Sequence, residues 1–276
     1  MRATKIRLVW MLTLVGAAAV TAAEAQTANG SLGCLIEPNV VVTVSSPVDG
    51  IVETVTVDRG DLVKQGQVLA TLESSVEEAV VAIAKAKTEL EAGVRNGQAR
   101  TEHGKRKLQR IQELYKKGNI SVHELEEAEL EKNLAEVSLL DAIENKRLAS
   151  LEFQRASAAL ALRTIKSPVT GVVVERMVSP GDFRNNIENK ILKLAQIDPL
   201  RVEVFVPVSM LKQIAVGMKA EVLPEPPHST AQIAQVTVVD RVVDAASGTF
   251  GVRLSVKNPG YKLPAGLKCK VRFLQK

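Results

Sequence analysis

The chain repeats itself across a long gap. Ser46-Pro47-Val48-Asp49-Gly50-Ile51-Val52 is answered 121 residues later by Ser167-Pro168-Val169-Thr170-Gly171-Val172-Val173. The correspondence runs on through Val57, Gly60 and Asp61, which match Val178, Gly181 and Asp182, so that eight of sixteen aligned positions are identical. Chance is a poor explanation for that. In each copy Pro-x-x-Gly opens a turn and alternating β-branched residues follow, as in Ile51, Val52, Val55 and Val57, the pattern of a short half-buried strand. Gly60-Asp61 makes a second turn ahead of Val63 and Gly66-Gln67-Val68-Leu69. Two such halves of about four short strands each complete one small β-sandwich. Whatever lies between them must leave the sandwich and come back to it.

What lies between them is helical. From about 74 to 164 proline is absent, glycine is sparse, and Ala, Leu, Glu, Lys, Gln and Arg dominate. A 3-4 spacing runs through Val80, Ile83, Lys87, Leu90, Val94, Gly97, Thr101, Gly104, Leu108, Ile111 and Tyr115. It resumes through Leu125, Ala128, Lys132, Ala135, Leu139, Ala142, Lys146, Ala149, Phe153, Ala156 and Leu160. The break falls at Lys117-Gly118-Asn119-Ile120-Ser121, where Gly118 suits a left-handed helix stop and Ser121 with Glu124 forms a capping box. The segment predicts an antiparallel hairpin with arms of about 44 residues, about 65 Å long. Its seam is weak, with Gly97, Gly104, lysines and a threonine in it. A second apolar stripe (Leu130, Leu134, Val137, Leu148, Leu151, Leu162, Ile165) asks for a second neighbour, which an adjacent copy of the chain could provide.

From Leu200 the period changes to two. Strands are expected at 200–207, 216–222, 235–239, 249–256 and 267–273, with turns at Asn258-Pro259-Gly260 and Leu263-Pro264-Ala265-Gly266. That spacing suggests a small antiparallel barrel.

The start of the chain reads as an export signal. Arg2, Lys5 and Arg7 precede an apolar run from Leu8 to Val20, and Ala23-Glu24-Ala25 offers a small-x-small cleavage site. The run falls short of the roughly 20 residues needed to span a bilayer. Loss of residues 1–25 removes three cations and one anion, and the formal charge falls from +5 to +3. The remaining basic residues are interleaved with acidic ones, and aromatics are only 3% of the chain. Neither feature suits a nucleic-acid interface. In an oxidising compartment Cys34 and Cys269 are disulfide candidates, provided that the two chain ends share a domain; two buried free thiols are the alternative. A barrel that recruits Cys34-Leu35-Ile36 as a strand beside Cys269 would bring them together.

This order of parts resembles the periplasmic adaptor family, also called membrane-fusion proteins and related to haemolysin-secretion-D. The resemblance rests on the split Ser-Pro-Val-x-Gly repeat, on Gly248-Thr249-Phe250-Gly251-Val252-Arg253 with Asn258-Pro259, and on Leu263 to Gly266. It implies an elongated α+β fold. Residues 1–25 are then the signal peptide, 26–38 with 200–276 the barrel, 39–73 with 165–199 the lipoyl-like domain, and 74–164 the hairpin. The chain stops at Lys276, so a membrane-proximal domain is expected to be truncated or missing, and barrel loops such as Pro224-Glu225-Pro226-Pro227 would have to meet the transporter. Adaptors that dock on TolC-like outer-membrane channels carry an Arg, a Leu four residues on and a small hydroxyl residue eleven on. Arg110, Leu114 and Ser121 fit that spacing.

The resemblance further implies a periplasmic location at the inner membrane, an inner-membrane transporter as partner, and a homo-oligomeric ring or funnel, for instance of six copies. A transporter of the resistance-nodulation-division (RND) type is favoured over an ATP-driven (ABC) one. A free-standing coiled-coil scaffold explains the helices but not the split repeat. A lipoyl or biotinyl carrier needs a lysine at a tight turn, where this chain has its helical insert. His103, His123 and His228 are isolated, and no nucleophile motif or phosphate loop is present. No enzyme activity, cofactor, metal or small-molecule substrate is expected.

Overall fold

A computed structural model describes residues 30–274 of the chain; the expected signal peptide lies outside them. The split repeat folds as two interlocked halves. The first contributes the end of β1 (Leu32–Ser45), then β2 (Gly50–Val55), β3 (Leu62–Val63) and β4 (Val68–Leu72). The second contributes β5 (Thr164–Lys166), β6 (Gly171–Arg176), β7 (Phe183–Arg184) and the start of β8 (Lys190–Pro207). One sheet runs β5-β4-β2-β7, while β3 and β6 extend from β8.

Equivalent residues in the two halves make equivalent bonds. Gly60 N–H donates to Val173 C=O (2.9 Å) and Gly181 N–H to Val52 C=O (2.8 Å). Both glycines are left-handed, with φ of +94° and +93°, which explains why the repeat keeps glycine there. Ser46 Oγ donates to Val48 C=O and Ser167 Oγ to Val169 C=O, each closing its own Pro turn. Val57 and Val178 are both buried in the shared core with Val52, Leu69, Leu72, Val173, Ile191, Leu192 and Leu194.

β1 and β8 do not stop at the edge of this domain. They run on as one antiparallel ribbon, from Ser45↔Lys190 to Cys34↔Val204, with a bulge between Pro38 and Val40. Beyond the bulge they join β9 (Lys219–Pro224), β10 (Gln232–Asp244), β11 (Thr249–Val256) and β12 (Lys268–Phe273). The order β1-β12-β9-β10-β11-β8 closes through the β1–β8 pairing, so these six strands form a barrel with no open edge. Inward residues at every second position fill it: Ile36, Val202, Val204, Val206, Val222, Phe250, Val252, Leu254 and Val271. Cys34 and Cys269 are directly paired across β1 and β12 and are joined by a disulfide within this core. Asn258, buried at the barrel rim, donates to Ile197 and Leu263 C=O and accepts from Leu263 N–H, which ties the turn after β11 to β8.

The helical insert is α1 (Ser75–Thr88), α2 (Ala92–Lys116) and α3 (Val122–Ala161). The outgoing arm is therefore two helices, not the single helix that unbroken spacing suggested. Glu89 and Leu90 N–H donate to carbonyls only three residues back, at Ala86 and Lys87, and this tight turn ends α1. The turn also slips the phase. In α2 the seam is Val94, Gly97, Thr101, Gly104, Leu108 and Ile111, as the spacing predicted, but in α1 it is Val81, Ala84 and Thr88, one residue on from the expected trace. Val80, Ile83 and Leu90 face solvent instead. Along α3 the predicted seam is inward at every position except Lys146. Ile165 does not continue the outer stripe; it lies in β5 and is buried in the lipoyl-like core. At the base of the hairpin Arg163 reaches Glu77 (2.5 Å) and Asp49 C=O (2.9 Å), anchoring α1 and α3 to the turn before β2.

Candidate functional site

The far end of the hairpin is built from its two caps. Gly118, at φ +70°, donates its N–H to Tyr115 C=O (2.9 Å), and Asn119 N–H reaches back to Leu114 C=O (3.1 Å). These are the two bonds of a Schellman stop, available because glycine enters the left-handed region without a Cβ clash. On the return side Ser121 Oγ accepts from Glu124 N–H (3.3 Å), and the Glu124 carboxylate accepts from Ser121 N–H (2.9 Å). Each bond satisfies a helix-end donor or acceptor that would otherwise be left to water. The chain thus reverses in a few residues, and the residues flanking the turn are fixed in direction.

Arg110 and Leu114 stand one helical turn apart on α2, on the same face. Arg110 is exposed and has no ion pair or side-chain hydrogen bond among the described residues, and Leu114 is 40% exposed. Ser121 follows across the turn, but its hydroxyl is already engaged by Glu124. Two further apolar side chains are presented here. Val122 opens α3 and is exposed, and Tyr115, expected in the seam, is exposed as well, because α2 ends one residue later and no seam partner faces it. Lys116 and Lys117 add cations with no ion pair among the described residues. The tip therefore offers apolar side chains set among cations. Val122 could have been read from the sequence as the first helical residue after the cap, a position with no helical neighbour to cover it.

Behind the tip the arms touch through small residues. Gly97, Thr101, Gly104, Ala128 and Ala156 are buried, and Thr101 Oγ1 donates to Ala135 C=O (3.1 Å) across the seam. A Cβ on Gly97 would come within 2.9 Å of Leu139 Cα, so glycine is needed for the approach. Ion pairs flank the seam on both sides: Lys87–Glu152 (3.1 Å), Lys146–Glu91 (3.4 Å), Lys105–Glu136 (3.6 Å) and Lys107–Glu131 (2.5 Å). Hydrogen bonds from Arg95 and then Lys146 hold the Glu91 carboxyl below its usual range, and Lys107 does the same for Glu131. Each pair is solvent-exposed and screened by water, so the ladder sets register more than stability.

The loop 225–231 does not reach the free end of the barrel. It follows β9, which runs toward the lipoyl-like domain, so it stands beside that domain, and segments 208–218 and 245–248 close the other end. Among the described residues no three potential metal ligands gather, and no helix is long and apolar enough to cross a membrane.

Residues 40–195 match the family model described as CzcB-like, barrel-sandwich hybrid domain, and residues 200–276 match CusB-like, beta-barrel domain. MacA from Actinobacillus actinomycetemcomitans superposes with a TM-score of 0.72 at 23% identity, covering 89% of this chain and 79% of that one. A membrane fusion protein from Streptococcus pneumoniae gives 0.60 at 15% identity, covering 89% and 99%. A putative efflux transporter from Bacteroides eggerthii gives 0.58 at 18% identity, covering 89% and 68%. At these identities the superpositions establish the fold. In sequence the chain is 23% identical over 240 residues to an uncharacterized protein of Haemophilus influenzae, spanning 87% of this chain but only 56% of that relative's length. With both β domains matched in order and the helical insert placed between the halves of the first, the chain belongs to the membrane-fusion, or periplasmic adaptor, family of efflux-pump proteins.

Proposed function

We propose that this chain is a periplasmic connector, not an enzyme, that joins an inner-membrane transporter to a TolC-like outer-membrane channel. The observation that carries the reading is the hairpin tip. It holds an unpaired Arg110 and a half-exposed Leu114 in the last two turns of α2, about 50 Å from the lipoyl-like domain along the neighbouring 40-residue α3. In this reading Arg110 is a charged donor and Leu114 an apolar knob for the helical ends of the channel, and Ser121 fixes the turn that aims them. Replacing Arg110 by Asp reverses the charge at an exposed site without touching the seam. The expected result is loss of export at unchanged protein level; unchanged export would remove Arg110 from the docking role.

Several copies would stand side by side. α3 carries an outward stripe of Leu130, Leu134, Val137, Leu148 and Leu151, and α1 exposes Val76, Val80 and Ile83 on a different face. Two different apolar faces on one protomer favour a head-to-tail contact, the kind from which rings are built when the rotation closes. The barrel's match to a family model named for RND systems supports a transporter of that type over an ABC exporter.

A further inference from the structure

Strand direction sorts the two ends of the barrel. β8 runs from Leu200, beside the lipoyl-like domain, to Pro207, with Leu200 paired to Pro38 and Val204 to Cys34. Segments 208–218 and 245–248 therefore close the end remote from the lipoyl-like domain, and Val208 N–H donates to Gly248 C=O (3.0 Å) between them. β1 begins at this end and β12 finishes there, since Leu32 pairs with Val271.

Inside this end Met210 and Ile214 pack on the barrel core. Outside it, large apolar side chains are exposed: Phe205 (71% exposed), Val208, Leu211, Val216 and Val242 (82% exposed), with Phe205 and Val242 lining one shallow cavity. Two local features put the most exposed of them there. Phe205 pairs across the strands with Gly251, which has no side chain to cover the ring, and the Asp240 carboxylate occupies the place of the missing Cβ. The β10–β11 register skips from Val239↔Val252 to Val243↔Phe250, so Asp240, Arg241 and Val242 bulge outward opposite that single glycine. Lys212, Lys219 and Arg241 lie among the apolar groups, while the Asp244 carboxylate is turned back onto Ala246 and Ser247.

We propose that this end of the barrel is a lipid-contacting tip that seats on a phospholipid bilayer surface. Apolar side chains spread around a protruding rim with cations between them suit an interface of acyl chains and anionic headgroups. The way the chain enters the barrel is an independent indication. Gly30, the first described residue, leads into β1 at this same end, and residues 21–29 alone separate it from the apolar run Leu8 to Val20. Nine residues reach at most about 30 Å, so until the signal is cleaved this end of the barrel is kept within that distance of the membrane. The proposal does not rest on channel docking, which involves the opposite end of the molecule.

Trp10 is the only tryptophan of the chain, so a tryptophan placed on the barrel reports its own surroundings once Trp10 is changed to Phe. The exported protein, its N-terminus read by mass spectrometry, would carry Trp10→Phe with either Phe205→Trp or Ile233→Trp, the latter exposed on β10. Vesicles of phosphatidylethanolamine with phosphatidylglycerol should shift the emission of the Phe205→Trp protein to the blue, with quenching by lipids brominated in the acyl chain, and leave the Ile233→Trp protein unchanged. Flotation with the same vesicles should show about tenfold weaker partition for Phe205→Ser with Val242→Ser than for the unsubstituted barrel or Ile233→Ser. Circular dichroism melts verify that every variant is folded. Absence of vesicle binding by the unsubstituted barrel, or equal partition of all three proteins, overturns the proposal and leaves this rim to a protein partner. Neither result bears on export by the Arg110→Asp variant.

Discussion

The barrel and the hairpin are stabilised in opposite ways. The barrel buries Phe250, Ile36, Leu200, Leu254 and a set of valines from six strands, and a disulfide ties its first strand to its last. The hairpin is longer than the barrel yet fully buries only Ala84, Gly97, Thr101, Gly104, Ala128 and Ala156. Seven of its leucines (Leu90, Leu114, Leu130, Leu134, Leu140, Leu148 and Leu151) are exposed. The hairpin exposes most of its large apolar residues and buries its small ones, whereas the barrel fills a closed core and leaves an apolar rim only at the end remote from the lipoyl-like domain and scattered apolar residues along its wall. This division matches the proposed connector role, with a rigid base and an arm left open to neighbours.

The comparison can be broken at several points. Phe250→Ala removes the largest fully buried side chain, and a loss of about 3–5 kcal/mol is expected in denaturant unfolding followed by β signal. An effect below 1 kcal/mol would show that the barrel core is not the main store of stability. Gly97→Val forces Leu139 away on the backbone side and should cost the hairpin about 1–3 kcal/mol. Hydrogen exchange would speed up over residues 92–161 while the barrel amides stay protected. Loss of protection in both would mean that the two regions unfold together.

Ser121→Ala removes one side of the capping box, for about 1 kcal/mol, with faster exchange confined to the first turn of α3. Acid should have the smallest effect. Glu91, Glu131 and Glu136 are held below their usual values by Arg95, Lys107 and Lys132 respectively. Their stabilisation is present above the unfolded carboxylate value of about 4.3 and is lost as pH falls through the lower folded values. Far-UV circular dichroism should show helix loosening below about pH 4, before the barrel changes.

Legibility from sequence divided along the same line. The two β halves were readable because the repeat carries its own bonds, with Ser46 and Ser167, the left-handed Gly60 and Gly181, and the buried Val57 and Val178 doing the same thing in each copy. The caps at Gly118 and Ser121 were readable for the same local reason. The seam of α3 could be traced because alanine and leucine hold most of its positions, with only Lys132, Lys146 and Phe153 between them. The break at Glu89–Glu91 was not readable. Leu90 fits the spacing, no proline or glycine marks the turn, and only packing against α3 reveals that α1 has slipped by one residue. The ends of the barrel were not readable either. Which loops stand beside the lipoyl-like domain depends on strand order, and alternation within a strand does not carry that information.

The proposed connector role depends on what meets the hairpin tip. A photoreactive residue in place of Leu114, activated in living cells with adducts identified by mass spectrometry, tests it most directly. The account predicts an outer-membrane channel as the main adduct, lost when Arg110→Asp is added. Adducts only to other copies of this chain, or to a soluble periplasmic protein, would contradict it and leave a scaffold in place of a connector.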